Sequence, residues 1–230
     1  NAYHYDPEKD DHDNSIVAYT QESHLALWIT GKRVEGSWAH PDEDTSFYEL
    51  KAYVENILRR VGVAGGMVVS SQSENNLFSE ALVLKKRGGK VLCEYGKLTK
   101  KVCHTCGVEK DVYYADINWT AVMKAIKKNK VEFKELSKYP AVSRDLALLI
   151  DSNVEFAQIE QIARQSEKKL LKEVDLFDVY QGKNLPAGKK SYAVNFILED
   201  EERTRKDKQT DAIMQKIIKN LTNKLGAELR

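Results

Sequence analysis

The chain has 230 residues, of which 42% are hydrophobic and 31% charged, and its formal net charge is +1. That length accommodates one large or two modest domains, and the near-zero charge excludes a global field toward nucleic acid, so an RNA-binding surface has to be a local patch. No apolar run approaches the roughly 18 residues of a membrane span, no signal-peptide pattern opens the chain, and three cysteines, an odd number, argue against a secreted disulfide framework and for a reducing compartment. No initiating Met is present, and the chain is expected to be a piece of something longer.

Residues 3 to about 23 are polar and acidic, with Asp6, Glu8, Asp10, Asp11 and Asp13, and read as an extended lead-in. Leu25 to Thr30 is a strand candidate stopped by Gly31. Ser46-Phe-Tyr-Glu49 has the form of a capping box, Ser at the N-cap and Glu three residues on. The helix it opens runs to about Val61 and places Phe47, Leu50, Val54, Ile57, Leu58 and Val61 on one face. Gly62 stands where a C-terminal glycine cap is expected. After a Ser/Asn/Gly-rich connection, Ala81 to Arg87 and Lys90 to Tyr95 read as two strands joined by Gly88-Gly89, a strong hairpin signal. Asp111 to Ile117 is a further strand, and Asn118 caps a helix from Trp119 to about Lys128.

Residues 129–143 mix charge with isolated apolar residues and end in Tyr139-Pro140, where a domain boundary is placed. Beyond it, Arg144 to Asp151 reads as a strand, and Ser152-Asn-Val-Glu155 as a second capping box for a helix with Phe156, Ile159, Ile162 and Ala163 on one side. Leu170 to Gln181 is mainly strand, and 182–188 a loop around Leu185-Pro186. Lys190 to Asp200 alternates, with Tyr192, Val194, Phe196 and Leu198 against Ala193, Asn195 and Ile197. A charged loop, Glu199 to Lys208, leads to a helix carrying Ile213, Ile217, Leu221 and Leu225, capped by Gly226, and then a short strand. The order strand–helix–strand–strand–helix–strand suits a small open sheet with both helices on one face and the other face free for RNA or protein.

The wording of this last unit is specific. Pro140…Arg144-Asp145-Leu146-Ala147, Leu176-Phe-Asp-Val-Tyr-Gln-Gly182, Leu185-Pro186, Gly188-Lys189-Lys190-Ser191, Asp200, Arg203-Thr204 and Gly226-Ala227 follow one another in order. Together they resemble the ferredoxin-fold anticodon-binding domain that ends the bacterial phenylalanyl-tRNA synthetase beta subunit. Upstream, His24-Leu25…Thr30-Gly31 with Trp38, Phe47-Tyr48-Glu49-Leu50-Lys51, and Val112-Tyr-Tyr-Ala-Asp-Ile117 with Trp119 are similar to the end of the same subunit's catalytic-like module. Two departures stand out. Arg205-Lys206-Asp207-Lys208-Gln209 is basic where the family has a Leu-Thr-Asp-Glu-Glu-like helix start. Ser71-Gln-Ser-Glu-Asn-Asn replaces a His-Pro-Gly-like segment.

The resemblance implies an α+β chain of two parts. Residues 3–136 are expected to form a class II synthetase-like, catalytically inactive mixed-sheet module, and 139–230 a ferredoxin-like βαββαβ anticodon-binding domain. It implies recognition of the anticodon arm of tRNA(Phe) and packing on the synthetase alpha subunit in an alpha-two beta-two assembly, in the cytoplasm. ATP and magnesium are expected for the whole enzyme and no cofactor for this chain. The alternative is a structural or protein-interaction module with an open sheet and no RNA binding of its own.

No catalytic site is expected. Gly62-Val-Ala-Gly-Gly66 and Gly88-Gly89 lack the following Arg of a phosphate-holding Gly-x-Gly-x-x-Arg sequence, and no phosphate loop occurs. Cys103-His104-Thr105-Cys106 is half of a zinc site without a second C-x-x-C, and reads as ordinary loop before the strand at Asp111. The RNA-binding candidates are Arg144, Lys189, Lys190, Arg203, Arg205 and Lys206, which gather at the ends of the two expected central strands for phosphate contacts. Asn195 joins them on the free sheet face. That face, carrying Asp145, Ala147, Leu149, Ala193, Asn195 and Ile197, lacks an aromatic pair for stacking bases, and Tyr180 is the best aromatic outside the core.

Overall fold

The computed structural model describes residues 1–10, 15–63, 68–129, 133, 135, 137–200 and 207–230. The chain divides into two units, Asn1–Glu132 and Phe133–Arg230, each with its own apolar core.

In the first unit β1 (Ala2–Tyr5) pairs antiparallel with β2 (Tyr19–Glu22). In its described parts the lead-in expected over residues 3–23 therefore holds this strand pair and two short 3-10 helices, Pro7–Lys9 and Ser15–Ala18. Tyr5 and Tyr19 face each other across the pair with ring centroids 5.1 Å apart. No apolar alternation announces these strands because neither buries a face in the core.

β3 (His24–Thr30) ends at Gly31, whose φ of +81° lies in the left-handed region open to glycine. A small ribbon, β4 (Lys32–Val34) and β5 (Glu43–Asp44), follows. Helix α1 (Phe47–Arg60) begins as its capping residue requires, with the Glu49 N–H donating to Ser46 Oγ at 3.3 Å. Its stripe of Leu50, Val54 and Leu58 is buried, with Phe47, Ile57 and Val61 at the margins.

β6 (Val68–Gln72), β7 (Phe78–Lys86) and β8 (Val91–Leu98) are consecutive antiparallel strands. The β7–β8 turn has Gly88 and Gly89 at φ +111° and +97°, which explains the glycine pair. Cys103 and His104 lie on a short helix, α2 (Lys100–Thr105), capped by Thr99, and not in a loop. Six residues are too few for helical periodicity to show in the sequence. β9 (Val112–Asn118) leads directly into α3 (Trp119–Ile126), whose first turn is capped by the Asn118 side chain, its Oδ1 accepting from the Ala121 N–H at 2.8 Å.

The sheet order is β3-β9-β8-β7-β6, and every described pairing is antiparallel. The mixed sheet expected for this unit is thus corrected to an antiparallel one. α1 and α3 pack on one face, against Leu92, Tyr95, Ala115 and Ile117.

The second unit runs β10 (Val142–Asp151), α4 (Phe156–Ser166), β11 (Leu171–Tyr180), β12 (Lys189–Leu198), α5 (Asp207–Leu225) and β13 (Glu228–Leu229). Its sheet order is β11-β12-β10-β13, all antiparallel, so the first and third strands are the central pair. The cap of α4 is shifted from the expected Ser152 to Glu155, whose N–H donates to Gln158 Oε1 at 2.9 Å. Ser152 instead donates its N–H to the Gly188 carbonyl, and this holds it in the strand-end turn. Leu148, Ile150, Tyr192, Val194 and Phe196 meet Ile159, Ile162, Ile217 and Leu221 from the helices. Each such large side chain contributes roughly 1.5–3 kcal/mol by leaving water. Both helices cover this one face, and the other stays open.

Candidate functional site

The open face of the four-stranded sheet follows from register. β10 pairs with β12 so that Asp145 faces Asn195, Ala147 faces Ala193 and Leu149 faces Ser191. These positions alternate with the buried set and point away from the helices. The expected members Asp145, Ala147, Leu149, Ala193, Asn195 and Ile197 all lie there.

β11 changes the picture. Val174 and Leu176 face the helices, opposite Phe196 and Val194. Plain alternation then carries Asp178 and Tyr180 to the same side. An irregularity between Leu176 and Asp178 leaves Phe177 out of the pairing, 60% exposed, and inverts the side-chain parity beyond it. Asp178 therefore opposes Ala193, and Tyr180 opposes Ser191, on the open face.

Gly182 permits the ring's position. A Cβ there would stand 2.5 Å from Tyr180 Oη and 2.7 Å from its Cζ. From the opposite edge, the Arg230 N–H donates to the Ala147 carbonyl at 3.0 Å, which extends β13 pairing by one residue. The Arg230 guanidinium reaches back over the face to 5.8 Å from the Tyr180 ring centroid. The two long side chains meet above a floor of small residues, Ala147, Ser191 and Ala193. With Asp178 and Asn184 they line an open groove of about 600 Å³.

The groove offers an aromatic plane, a guanidinium, a carboxylate and a hydroxyl within one shallow, apolar-floored space. It suits a flat, polar-edged group that stacks on Tyr180 while Asp178, which only accepts hydrogen bonds when ionised, meets N–H donors on its edge.

Other expected residues fall differently. Asn195 lies on the open face farther along β12. Its side-chain amide donates to Ser143 Oγ and to Asp145 Oδ1. Lys189 sits at the end of the same face, with its ammonium 3.0 Å from Asp151 Oδ1. Lys190 is buried on the helix side, its ammonium 4.6 Å from the Tyr192 ring centroid. Arg144 also points to the helix side, with Nε 3.9 Å from Asp211 Oδ1 on α5. The expected gathering of Arg144, Lys189 and Lys190 does not form, because Lys189 and Lys190 project to opposite faces and Arg144 lies at the other end of the β10–β12 pair. Arg203, Arg205 and Lys206 lie outside the described residues.

Asp178, Asn184, Ser191 and Arg230 are the groove residues that the sequence reading missed. For Ser191 a signal existed, since the alternation of Ala193 and Asn195 extends back to it. For Arg230 none did, because its position depends on β13 adding to the far edge of β10.

The open face of the five-stranded sheet is of another kind. Trp28, Tyr114 and Phe78 stack in a row, with centroids 5.1 and 6.1 Å apart. His24 Nδ1 is 2.7 Å from Asp116 Oδ1, and Glu94 accepts from Ser73 and Asn75. Among the described residues no group of three or more His, Cys, Asp or Glu side chains is arranged to hold a metal. Cys103 is buried and Cys106 exposed, both free.

Comparison with known proteins places both units. Residues 137–230 match the ferredoxin-fold anticodon binding domain, and residues 3–119 the phenylalanyl tRNA synthetase beta chain CLM domain. The chain is 55% identical over 230 residues, all of its length, to a phenylalanine–tRNA ligase beta subunit of Bacteroides fragilis. It is 47% identical to the like-named protein of Porphyromonas gingivalis over 229 residues, and 36% identical to that of Syntrophotalea carbinolica over 206 residues, 90% of this chain. It spans 28% of the length of the first two and 26% of the third.

Proposed function

Because the chain belongs to the phenylalanyl-tRNA synthetase beta chain family, we propose that it serves a phenylalanine–tRNA ligase by holding the anticodon arm of the tRNA and by packing on a partner alpha subunit. The observation that carries this reading is the Tyr180–Arg230 groove on the open face of the anticodon-binding domain. An unpaired anticodon base stacks on Tyr180. The small floor of Ala147, Ser191 and Ala193 lets it lie flat. Asp178 accepts hydrogen bonds from the base's N–H groups, and Arg230 meets either its second face or the adjoining phosphate. Lys189 and Asn195 extend the contact along β12. The alternative of an interaction module without RNA binding gives no account of a stacking ring and a carboxylate aimed into one groove.

The first unit is read as a class II synthetase-like module that performs no chemistry itself. The face where such a sheet would hold ATP carries, at its paired positions in β3, β9 and β8, Trp28, Tyr114, Asp116, Glu94 and Gly96 and no arginine among the described residues. ATP and magnesium are assigned to the rest of the ligase, whose place of action is proposed to be the cytoplasm as an alpha-two beta-two assembly. Among the described residues no helix is long and apolar enough to cross a membrane.

The test uses the assembled ligase. Replacing Tyr180 by Ala is expected to weaken tRNA(Phe) binding about 5- to 150-fold, the loss of roughly 1–3 kcal/mol per stacked base. A tRNA with a substituted anticodon is expected to lose the same affinity on the unaltered enzyme and little more on the variant. Equal binding of both tRNAs by both proteins rejects the reading.

A further inference from the structure

The ribbon β4–β5 ends in Ser37-Trp38-Ala39-His40, and Trp38 is 100% exposed. This is the least buried large apolar side chain described in the chain, and it is not on a slack loop. The Ser37 N–H donates to the His40 carbonyl at 2.8 Å and closes the turn. Ser37 Oγ accepts from the N–H groups of Ala39 and His40, both at 3.3 Å. The Gly36 N–H donates to Asp42 Oδ1 at 2.6 Å, and a Cβ on Gly36 would come within 2.9 Å of that oxygen. Two ion pairs strap the sides, Lys32 to Asp42 at 2.7 Å and Arg33 to Glu43 at 3.0 Å. Arg33 also lies 4.0 Å from Glu49 in the first turn of α1, which ties the ribbon to the unit's core helix.

A tryptophan on a turn held in this way is covered with little further loss of backbone freedom, which favours an aromatic side chain as an anchor of a binding energy. The charge of the ribbon selects what covers it. Residues 32–44 hold two basic groups, Lys32 and Arg33, and four acidic ones, Glu35, Asp42, Glu43 and Asp44, a net charge of −2. Its two cations are already matched to two of those acids. A polyanion is repelled by such a surface, whereas a protein pocket with a basic rim is attracted.

We propose that Trp38 is an anchor that inserts into an apolar pocket with a basic rim on the partner subunit of the ligase. This rests on the reading above that the chain works within a multi-subunit ligase, and it adds the residue and the chemistry of the contact.

The full-length subunit is produced together with its partner, unaltered and with Trp38→Ala or Trp38→Phe. Assembly is followed by sedimentation across a dilution series, tRNA binding by filter retention, and Trp38 exposure by acrylamide quenching, taken as the difference between the unaltered and Phe variants. The expected result has three parts. Trp38→Ala raises the subunit dissociation constant about 30-fold with unchanged thermal unfolding of the subunit alone. Trp38→Phe recovers part of that loss. The Trp38 quenching seen in the free subunit disappears on assembly. Unchanged assembly with Trp38→Ala, or Trp38 still quenched in the assembled ligase, overturns the inference and leaves the general reading intact. Loss of tRNA binding without loss of assembly overturns it in favour of an RNA contact, and loss of self-association alone in favour of a second copy. Failure of the unaltered subunit to retain any partner sinks the broader reading first, and this inference with it.

Discussion

Gly182 and Tyr180 behave as one unit at the scale of residues. The tyrosine ring occupies the volume that a side chain at 182 would need, with Oη 2.5 Å from an added Cβ. Because the clash falls on the free end of a side chain and not on backbone, Gly182→Ala is expected to swing the ring off the groove floor and leave the fold in place. Thermal unfolding should then change little while tRNA affinity of the assembled ligase falls toward that of Tyr180→Ala. A large loss of stability with retained affinity would contradict this account of the glycine.

Tyr95 presents the opposite case, a polar atom with nothing to do. It is fully buried against Phe47, with centroids 5.7 Å apart, and its hydroxyl has no hydrogen-bond partner among the described residues. Burial pushes that phenol well above its usual range. Removing an unsatisfied buried hydroxyl while keeping the ring is expected to stabilise by about 1 kcal/mol. Urea unfolding of Tyr95→Phe at neutral pH measures it, and a lower midpoint at equal slope would show that the hydroxyl is satisfied after all.

Among elements, the β1–β2 pair illustrates how an exposed strand is fastened. It buries little, yet its last residue, Glu22, meets several groups of the five-stranded sheet and the β7–β8 turn. The Asn118 amide donates to its carboxylate at 2.8 Å, Lys90 stands at 3.5 Å, and the His24 ring at 4.0 Å. From its own pair, the His4 imidazole lies at 3.8 Å. The Asn118 hydrogen bond, followed by the Lys90 charge, holds the Glu22 carboxyl below the ordinary carboxylate range. A folded value below the unfolded one means stabilisation that is complete above about pH 4.3 and is lost as pH falls through the lower folded value. The difference in urea midpoint between the chain and its Glu22→Gln variant should therefore be constant near neutrality and close as the pH drops below about 4. A gap that widens on acidification would have the sign wrong. The elements that were legible in the sequence share one property, a signal contained within a few residues. The Ser46 cap, the Gly88-Gly89 turn, the Asn118 cap and the alternation along β12 all announce themselves locally. β1, β2, β4, β5, β6 and α2 did not, being too short for a period to show, and the cap of α4 was misplaced because Ser152 and Glu155 both begin plausible boxes.

On the scale of the whole molecule, the two units divide the proposed work. The first offers a sheet face of stacked aromatics and carboxylates where phosphate-binding arginines would be needed for amino-acid activation. The isolated chain is accordingly expected to be silent in phenylalanine-dependent pyrophosphate exchange, and measurable exchange would overturn the proposal that it is a non-catalytic part of the ligase. The second unit offers the open sheet with its groove. The 230 residues by themselves determined the order of elements in the second unit, the split of β10 and β12 into buried and open sides, and the family, because each of these is written in short-range pattern or wording. Only the tertiary structure decided which face Tyr180 uses and that Arg230 meets it. The first depends on the unpaired Phe177 in β11, which shifts parity relative to β12. The second depends on four strands lying side by side, so that the chain's last residue and a tyrosine fifty positions earlier share one floor. Register between strands is a property of their pairing, and no window along a single strand contains it.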